Sequence, residues 1–332
     1  MKRPGMSLLV SVFFLVSALV YVPPGNSQSY TILTYNIGLL RIFGFDLVPA
    51  VDVRTRIAPR ELARFARQNA PDIMLLEEVW DNRTAAAIAG ELSPLGYASV
   101  RPSGRSPFCL GSGLLLLVRS PLEVVDWRFT PFAQNTFTNS FARKGVLEAS
   151  LEDPSRNAAR FALVGTHMVA LDTNDGLPKN RAQLAVFHAQ AAQVLSVLDS
   201  RSNQGSAPVI LLGDFNVGPG YADAAYRSIA GEKGLIEAGE SLGLSAPRVT
   251  WDPLNPLVRY GHYPQEPPAK VDHIFLGGGA TSSWTVRGAR RVFDAPVAGV
   301  TMRPPKRADA IEVPLSDHYG FLAEVELTRA QH

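Results

Sequence analysis

Residues 211–220 read LLGDFNVGPG and combine the end of an apolar run with two polar residues. An apolar run from Val209 to Leu212 ends at Gly213, and Asp214 and Asn216 follow with one residue between them. A short apolar run that is bounded by a turn signal is typical of a strand buried on both faces. Because alternate strand positions share one face, we expect the carboxylate and the amide to address one ligand.

Polar or ionisable residues also stand at the ends of five further apolar runs. Each alone has an ordinary explanation, because Asn and Asp are common turn residues and a histidine at a strand end usually makes a structural hydrogen bond. As a series they have another interpretation, since strand ends that meet at one sheet edge would form a single dense polar site. The residues are Asn36, Glu78, His167, Asp272 and the sequence Ser316-Asp317-His318.

Hydrophobic periodicity predicts strands that alternate with helices. Strands are expected at 30–35, 72–76, 113–118, 122–127, 145–151, 160–165, 209–213, 271–276 and 319–327. Helices are expected at 58–68, 84–92, 179–198 and 221–229. No repeat, low-complexity block or linker interrupts residues 29–332, which are therefore interpreted as one domain.

The residue types of this series indicate a particular chemistry. Carboxylate and amide oxygens suit a hard cation such as Mg²⁺. Imidazoles beside carboxylates suit proton transfer near neutral pH. A cation with a histidine base suits attack of water on phosphorus. The single cysteine, Cys109, excludes an intrachain disulfide and a zinc-finger site.

Residues 1–28 are interpreted as an export segment. Lys2 and Arg3 precede an apolar run, Ser7–Val22, and a small, turn-prone exit. The run is shorter than the roughly 20 apolar residues of a transmembrane helix, which favours a signal peptide. The cleavage signature is poor, so an uncleaved N-terminal anchor is the alternative. Both predict a secreted or extracytoplasmic protein, whereas a buried N-terminal helix would need a polar face that this run lacks.

The charge balance after this segment is neutral. The chain has 332 residues, of which 46% are hydrophobic, enough for a sizeable core. Lys2 and Arg3 are the only charged residues before position 29, so the remainder has 30 basic and 30 acidic residues. Proteins that follow nucleic acid through phosphate contacts usually show a basic excess or a basic face. The overall balance gives that class of partner no support.

Six motifs occur in the order found in the endonuclease/exonuclease/phosphatase superfamily, which the sequence resembles from about residue 30 to 328. They are TYNIG, EEVWD, GTHMVA, GDFN, VDHI and LSDH. The resemblance implies an α+β fold of four layers, with two packed mixed β-sheets flanked by helices, as in deoxyribonuclease I. It also implies a hydrolase that uses Mg²⁺, with Mn²⁺ or Co²⁺ as possible substitutes.

The same resemblance implies the residues of a metal site. Glu78 would be the main Mg²⁺ ligand. Asn36 would help to place the metal or the phosphate, and Asp317 would be a further ligand.

It likewise implies roles in proton transfer and phosphate binding. His318 would be the general base, oriented by Asp272. Asp214 would handle the proton of the water or of the leaving group. Asn216 would hold the phosphate, and His167 would be a second imidazole in contact with it.

Two positions depart from the superfamily pattern. Glu77 stands where many members have Gln, and His273 stands where Tyr is usual. Neither departure removes a catalytic group. His273 is expected to point away from Asp272, either into the core or towards the rim.

Several stretches resemble the neutral and bacterial sphingomyelinases within the superfamily. They are EEVWDN, SGLLLLVRSPL, ARKGVLEASL, THMVALD with RAQL, and TWDPLNP. Lys144 and Asp172 lie in these stretches and are candidate substrate-binding residues. The implied reaction is hydrolysis of a phospholipid head-group phosphodiester, with sphingomyelin giving ceramide and phosphocholine. Bacterial sphingomyelinases often carry a disulfide that this chain cannot form, so it is not a close copy.

Two other classes of function stay open. A secreted metal-dependent nuclease, or another phosphoesterase of the same superfamily, would use the same motifs. A lipid-binding module would keep the fold without the chemistry, but all the metal and proton-transfer positions are filled here, which disfavours it. No obligate protein partner is indicated.

A lipid substrate at a membrane surface also requires membrane contact, and two stretches qualify. Leu39–Val51 carries Phe43 and Phe45, and Trp284–Arg307 combines Trp284 with several basic residues. Aromatic and basic groups together suit a lipid interface. The alternatives are a core-packed loop for the first stretch and a solvated strand pair for the second. Phe43, Phe45 and Trp284 are the expected membrane contacts.

Overall fold

The computed structural model describes residues 27–42, 45–102, 111–136, 142–156, 159–203, 207–232, 234–245, 249–261 and 265–329. The strands are, in chain order, β1 (Ser27–Asn36), β2 (Arg41–Ile42), β3 (Phe45–Asp46), β4 (Ile73–Glu77), β5 (Tyr97–Val100), β6 (Leu115–Arg119), β7 (Glu123–Pro131), β8 (Gly145–Asp153), β9 (Ala159–His167), β10 (Thr173–Asn174), β11 (Leu177–Pro178), β12 (Val209–Asp214), β13 (Leu235–Glu237), β14 (Asp272–Gly277), β15 (Ser282–Val292), β16 (Thr301–Met302), β17 (Ile311–Glu312) and β18 (Gly320–Arg329). The α-helices are α1 (Val51–Asn69), α2 (Asn82–Leu92), α3 (Arg181–Asn203), α4 (Asp223–Ala230) and α5 (Pro256–Arg259).

Two six-stranded sheets form the centre of the molecule. The first has the strand order β15-β18-β1-β4-β6-β5, and the second has the order β13-β14-β12-β9-β8-β7. Both sheets are mixed, because β1 is parallel to β4 and β12 is parallel to β9, whereas the other pairs are antiparallel.

The inner faces of the sheets pack against each other and form the central core. Tyr30 and Ile32 of β1 are buried there with Ile210 and Leu212 of β12. Side chains alternate along a strand, so every second residue lies on the same face and continues the core layer towards the end of the strand. In β12 that position is Asp214, the last residue of the strand. The polar strand ends therefore lie where the central core stops.

Helices cover the outer faces. In α1, Ile57, Leu62 and Phe65 pack against the first sheet, and in α3, Phe187 and Val194 pack against the second. The order of layers is helix, sheet, sheet, helix. This is the four-layer α+β architecture of deoxyribonuclease I-like proteins, as the sequence predicts.

The predicted elements are present with shifted bounds. Helix α1 begins at Val51 and contains Pro59, whereas the prediction begins at residue 58. Strands β5 and β15 are not predicted, and β7 extends to Pro131. All three are edge strands of their sheets. An edge strand is half solvated and has one partner, so its local apolar signal is weak.

Trp284 requires a correction, because the expected membrane contact is wrong. It lies in β15 with 5% of its surface exposed. Its ring makes edge contacts with Tyr30 and Phe161, at centroid distances of 6.2 and 5.6 Å. Pairing of β15 with β18 places this side chain between the sheets, where it is part of the central core.

Of the other expected membrane contacts, Phe45 begins the short strand β3 and is 77% exposed. Phe43 lies outside the described residues, as does most of the export segment. Within the described ranges, none of the helices combines the length and apolar character needed to cross a membrane.

Candidate functional site

Strand pairing brings four polar strand ends together. β12 pairs with both β9 and β14, so that Asp214 is opposite His167 on one side and Asp272 on the other. Asp272 begins β14 whereas Asp214 ends β12, and antiparallel pairing brings that beginning and that end to one edge. Asn36, at the end of β1 in the first sheet, donates from Nδ2 to Asp214 Oδ2 across 2.9 Å. The structure thus unites these four predicted site residues.

His318 is buried and held by Asp272. Its Nδ1 lies 3.0 Å from Asp272 Oδ2, where the carboxylate accepts and the ring donates. Nε2 then faces Asp214, whose Oδ2 is 3.9 Å away. Burial lowers the pKa of His318, but the charges of Asp272 and Asp214 outweigh burial and raise it well above its usual value. The edge of the Trp251 ring packs on the imidazole, with centroids 5.0 Å apart.

The carboxyl group of Asp214 lies between the two imidazoles. Its Oδ2 is 3.4 Å from His167 Nε2, in addition to its contacts with Asn36 and His318. Burial, followed by the nearby charge of Asp272, raises the pKa of Asp214 to about 7. Asp214 can therefore hold or release a proton near neutral pH, as a proton-transfer group must.

Lys144 and His167 form another side of the site. Lys144 Nζ lies 2.7 Å from His167 Nε2 and donates to the carbonyl of Met168 across 3.1 Å. An ammonium group can only donate, so His167 Nε2 accepts. Burial, with the charge of Lys144 next in size, lowers the pKa of His167 well below its usual value, so the ring is neutral. Burial also lowers the pKa of Lys144 to about 8, so most of it stays protonated at neutral pH.

Glu78 and Asp317 are a pair of carboxylates beside Asn36. Burial, followed by the charge of Asp317, raises the pKa of Glu78. A bound cation would relieve this repulsion, and oxygen donors of this kind fit Mg²⁺. Asn36 donates towards Glu78 Oε1 across 3.4 Å, while its own Oδ1 accepts from the Gly38 backbone N–H at 2.9 Å. The amide nitrogen therefore contacts Glu78 and Asp214, and the amide oxygen is already used.

Close packing at Gly38 and hydrogen bonds from Ser316 place Asp317 beside the end of β1. Gly38 has a left-handed φ of 56°, and a Cβ atom there would overlap Asp317 Oδ1. The Ser316 hydroxyl lies 2.7 Å from the Asn36 carbonyl oxygen and 3.0 Å from Asp317 Oδ1. These contacts tie the segment before β18 to the end of β1.

A second group of candidate ligand atoms lies deeper in the site. Atoms of Asp214, Asp272 and His318 all lie within 4.8 Å of one another. His318 bonds to Asp272 Oδ2, and both oxygens of Asp214 accept hydrogen bonds, from Asn216 and Asn36, so Asp272 Oδ1 is the carboxylate oxygen of this group that has no hydrogen-bond partner among the described residues. The described residues therefore offer a cation either the Glu78–Asp317 pair or this deeper group.

Glu77 is buried next to these groups, although the sequence assigns it no role. Thr34 Oγ1 donates to Glu77 Oε1 across 2.6 Å, and Oε2 has no hydrogen-bond partner among the described residues. Burial, followed by the charges of Asp272 and Asp214, raises the pKa of Glu77 well above its usual value. Alternation points Glu77 into the inner layer, and Glu78 follows it with a left-handed φ of 59°.

Asn216 reaches the site by a different route from the one predicted. It lies beyond the end of β12 in a left-handed turn with a φ of 56°. Its backbone N–H donates to Asp214 Oδ1 at 2.8 Å, and its Nδ2 donates to the Met168 carbonyl at 3.1 Å. A turn residue that bonds the preceding Asp side chain therefore replaces the expected alternate strand position.

Asp172 is not joined to the polar cluster. Its Oδ2 accepts from Gln183 Nε2 at 3.0 Å, and its backbone N–H donates to Gln183 Oε1 at the same distance. These bonds fasten the segment after β9 to helix α3. Among the described residues, Asp172 makes no hydrogen bond to the other predicted site residues.

Arg54 supports the site and is missed by sequence reasoning. It is fully buried in α1, and its guanidinium donates to the carbonyls of Ile37 at 3.0 Å, Gly38 at 2.7 Å, Leu315 at 3.2 Å and Pro49 at 3.0 Å. It thus joins the segment after β1 to the segment before β18. The available signal is its helical position, four residues before Ala58 and on the same apolar face.

The sequence matches the profile of the Endonuclease/Exonuclease/phosphatase family over residues 33–318. No protein of curated function matches it significantly. Three similar solved structures cover most of the chain. TDP2 from D. rerio, in complex with a single-strand DNA product, has 18% identity and a TM-score of 0.63, and covers 90% of this chain and 99% of that chain.

The other two act on different compounds, according to their names. Sphingomyelinase C from Streptomyces griseocarneus has 20% identity and a TM-score of 0.62, and covers 90% of this chain and 99% of that chain. Mannosyl-6-phosphatase Bt3783 from Bacteroides thetaiotaomicron has 15% identity and a TM-score of 0.61, and covers 89% of this chain and 99% of that chain. The TM-scores establish the shared fold, whereas identities this low leave the substrate undetermined.

The family profile covers every strand end that contributes to the polar cluster, from Asn36 to His318. Members of the family are generally hydrolases that act on phosphoesters, and they commonly depend on a divalent metal. On the strength of this match, which spans most of its length, the chain belongs to the endonuclease/exonuclease/phosphatase family.

Proposed function

We propose that this protein is a Mg²⁺-dependent phosphodiesterase that hydrolyses a phospholipid head group, with sphingomyelin as the candidate substrate. The observation that carries the catalytic part is the buried His318–Asp272 pair, which faces Asp214 across 3.9 Å. A histidine oriented by one carboxylate and facing another titratable group is suited to move protons during attack of water on phosphorus.

Each step of that hydrolysis has a candidate residue. His318 Nε2 takes a proton from the attacking water while the water oxygen bonds to phosphorus. The bond from phosphorus to the leaving oxygen breaks, and Asp214 gives that oxygen a proton. Because the pKa of His318 is raised and that of Asp214 is about 7, the reactive form, with neutral His318 and protonated Asp214, is a minor form of the pair.

Lys144 and Asn216 are the candidates for binding the phosphoryl oxygens. Lys144 is buried and mostly protonated, and His167 beside it is neutral. Both Lys144 and Asn216 donate to the Met168 carbonyl, so their donor groups converge on one place. Donors held in a buried site stabilise negative charge that develops in the transition state.

Glu78 and Asp317 would hold the metal ion. When bound, a divalent cation neutralises charge on the phosphoryl group and polarises its oxygens. Asn36 and Ser316 hold the two carboxylates in place, as described above. Mg²⁺ is the proposed ion, because the donor atoms are oxygens.

Exposed apolar side chains support a lipid surface as the location of the substrate. Phe45, Leu177 and Leu254 are 77%, 70% and 78% exposed. Phe45 lies on the hairpin after β1, and Leu177 lies on the hairpin after β9, so both follow strands that end in site residues. Leu254 comes three residues after Trp251, which packs on His318. Exposed apolar residues that are close in sequence to segments carrying site residues suit contact with lipid tails.

A nuclease is the alternative within the same family. The fold likeness to TDP2, whose structure contains a single-strand DNA product, keeps nucleic acid open as a substrate. The neutral charge balance of residues 29–332 and the exposed apolar side chains favour lipid. Export through residues 1–28 is part of the proposal and would bring the enzyme to extracellular lipid.

The deciding assay compares three substrates under one set of conditions. Purified protein is incubated with sphingomyelin vesicles, lysophosphatidylcholine and plasmid DNA, with Mg²⁺ or with EDTA. We expect phosphocholine release from sphingomyelin that depends on Mg²⁺. Cleavage of DNA alone would replace the lipid proposal with the nuclease, and equal rates with Mg²⁺ and EDTA would contradict the metal assignment.

A further inference from the structure

A second cluster of ionisable side chains lies on the opposite side of β14 from Asp272. It consists of His273, Lys270 and Glu237, all of which are buried. Buried charges are costly unless they are paired and hydrogen-bonded. The proposed chemistry uses none of the three, so their retention in the interior needs another explanation.

The contacts of His273 show which ring nitrogen donates to the turn. Nε2 lies 2.9 Å from the carbonyl oxygen of Val217, which can only accept, so Nε2 carries the proton. Nδ1 lies 3.3 Å from Lys270 Nζ and 3.4 Å from Glu237 Oε1. Lys270 also forms an ion pair with Glu237, whose other oxygen accepts from the Glu240 backbone N–H at 2.6 Å. The ion pair therefore packs against Nδ1, while Nε2 is the nitrogen that donates to Val217.

The residue that accepts the hydrogen bond from His273 belongs to the same turn as Asn216. Val217 follows Asn216, which has a left-handed backbone. The same turn is tied to the start of β14 by the Phe215 N–H, which donates to the Val271 carbonyl at 2.9 Å. At Gly218, a Cβ atom would overlap the Lys270 carbonyl, so the turn lies directly against the segment that leads into β14. The His273 bond adds a side-chain contact to these backbone contacts and to the bond from the Asn216 N–H to Asp214 Oδ1.

We propose that His273 is a positioning residue for Asn216, with the Lys270–Glu237 ion pair holding the other side of its ring. This inference rests on the proposed function, in which Asn216 binds the phosphate. A non-Gly residue in the left-handed region costs free energy and persists only where its surroundings hold it. The bond from His273 to Val217 holds the turn in this conformation, so that Asn216 meets the substrate already placed.

Two substitutions of similar polarity at position 273 distinguish loss of the hydrogen bond to Val217 from a general effect of changing the side chain. In His273→Gln, the side-chain amide nitrogen can occupy the position of Nε2 and donate to Val217. In His273→Asn, the side chain is too short to reach that carbonyl. The soluble substrate is bis(p-nitrophenyl) phosphate. We expect His273→Asn to raise KM about tenfold, the order of effect that follows loss of one buried hydrogen bond. The KM of His273→Gln should stay within about twofold of the parent value.

A double-mutant cycle with Asn216→Ala tests whether the effect passes through Asn216. If it does, His273→Asn raises KM in the parent and has little further effect in the Asn216→Ala background. His188→Asn, at an exposed position of α3, is the matched control for loss of a histidine. Equal KM values for the Gln and Asn variants, or full additivity with Asn216→Ala, would overturn the proposal. It is also overturned if both His273 variants fail to fold while the His188 control folds.

Failure of the proposed function would be recognised separately. If the parent protein hydrolyses no phosphodiester, the positioning role is measured by amide hydrogen exchange in residues 216–218. We then expect faster exchange in His273→Asn than in His273→Gln. Equal exchange in the two variants would reject the positioning role whatever the substrate of the enzyme is.

Discussion

Asn36 donates to Asp214 across 2.9 Å and thereby joins the ends of two strands that belong to different sheets. The same amide group lies 3.4 Å from Glu78, so one side chain contacts both the candidate proton-transfer carboxylate and the candidate metal ligand. The bond occurs where the apolar core between the sheets ends. The site therefore depends on how the two sheets pack and not on either sheet alone.

Glu78→Gln is expected to weaken metal binding and to lower activity by roughly two orders of magnitude or more. The change keeps the shape of the side chain and removes the charge that would attract the cation. Mn²⁺ affinity of the protein without substrate is measured beside turnover, with Glu91→Gln, at an exposed position of α2, as the control. If Asp214→Asn weakens Mn²⁺ binding and Glu78→Gln does not, the ion binds at the deeper group of Asp214, Asp272 and His318.

Asp272→Asn is expected to move the acidic limb of the pH–rate profile to lower pH. Both limbs of the profile belong to the coupled His318–Asp214 pair, and the charge of Asp272 raises the pKa of each partner. Removing the Asp272 charge lowers both pKa values, and loss of ring orientation lowers kcat by roughly two orders of magnitude or more. The measurement is kcat/KM against pH, with Asp175→Asn, at an exposed turn, as the control. An unchanged limb in Asp272→Asn would assign the base to another residue.

Glu77→Gln is expected to stabilise the protein at alkaline pH. Burial and neighbouring carboxylates raise the pKa of Glu77, so the folded state keeps a proton that the unfolded chain has already released. Stability is therefore lost as the pH rises from the unfolded pKa of Glu towards the folded pKa. Gln keeps an acceptor for Thr34 and removes this loss, so Tm at pH 8 should rise by roughly 2–4 °C, which corresponds to about 1 kcal/mol.

The same comparison at lower pH checks the cause of the Glu77 effect. Near pH 4.5, where the folded state is protonated and the unfolded Glu is only half ionised, the gain from Glu77→Gln should become small. Glu324→Gln, at an exposed position of β18, should change Tm little at either pH. A gain that is independent of pH would point to packing and away from the buried carboxyl group.

Arg54→Met is expected to destabilise the fold by about 3–5 kcal/mol. The substitution keeps much of the side-chain volume and leaves four carbonyl groups without their donor. Denaturant unfolding measures the loss, and Arg119→Met is the matched control because Arg119 forms a partly exposed ion pair with Asp72. Such pairs contribute about 1 kcal/mol or less. Equal losses in the two variants would contradict the central role of Arg54.

Replacing Phe45, Leu177 and Leu254 together by Ser is expected to weaken binding to lipid vesicles. The three side chains are largely exposed, so turnover of a soluble phosphodiester should be unchanged. Each apolar side chain that enters a bilayer contributes up to roughly 1.5–3 kcal/mol, so the triple change is large enough to measure by vesicle sedimentation. Val125→Ser, on the edge strand β7, is the control. Equal vesicle binding by the triple variant and the parent would place the lipid-contacting surface elsewhere.

The sequence alone predicts the order of most strands and helices, and it predicts that polar residues follow the apolar runs. These are local properties, because burial on both faces of a strand produces a continuous apolar run and the end of the core produces a polar residue. The motif order then identifies which of these ends belong together. Asn36, His167, Asp214, Asp272 and His318 all take their expected place at one edge.

The tertiary structure decides what depends on contacts between distant segments. Trp284 reads as an exposed aromatic residue among basic neighbours, but pairing of β15 with β18 turns it into the core between the sheets. Asn216 enters the site from a left-handed turn, which periodicity does not encode. Arg54 and His273 obtain their roles from carbonyl groups that only folding brings within reach. Local pattern reports whether a residue is buried, whereas the partner that satisfies a buried polar group is set by the packing of elements far apart in the chain.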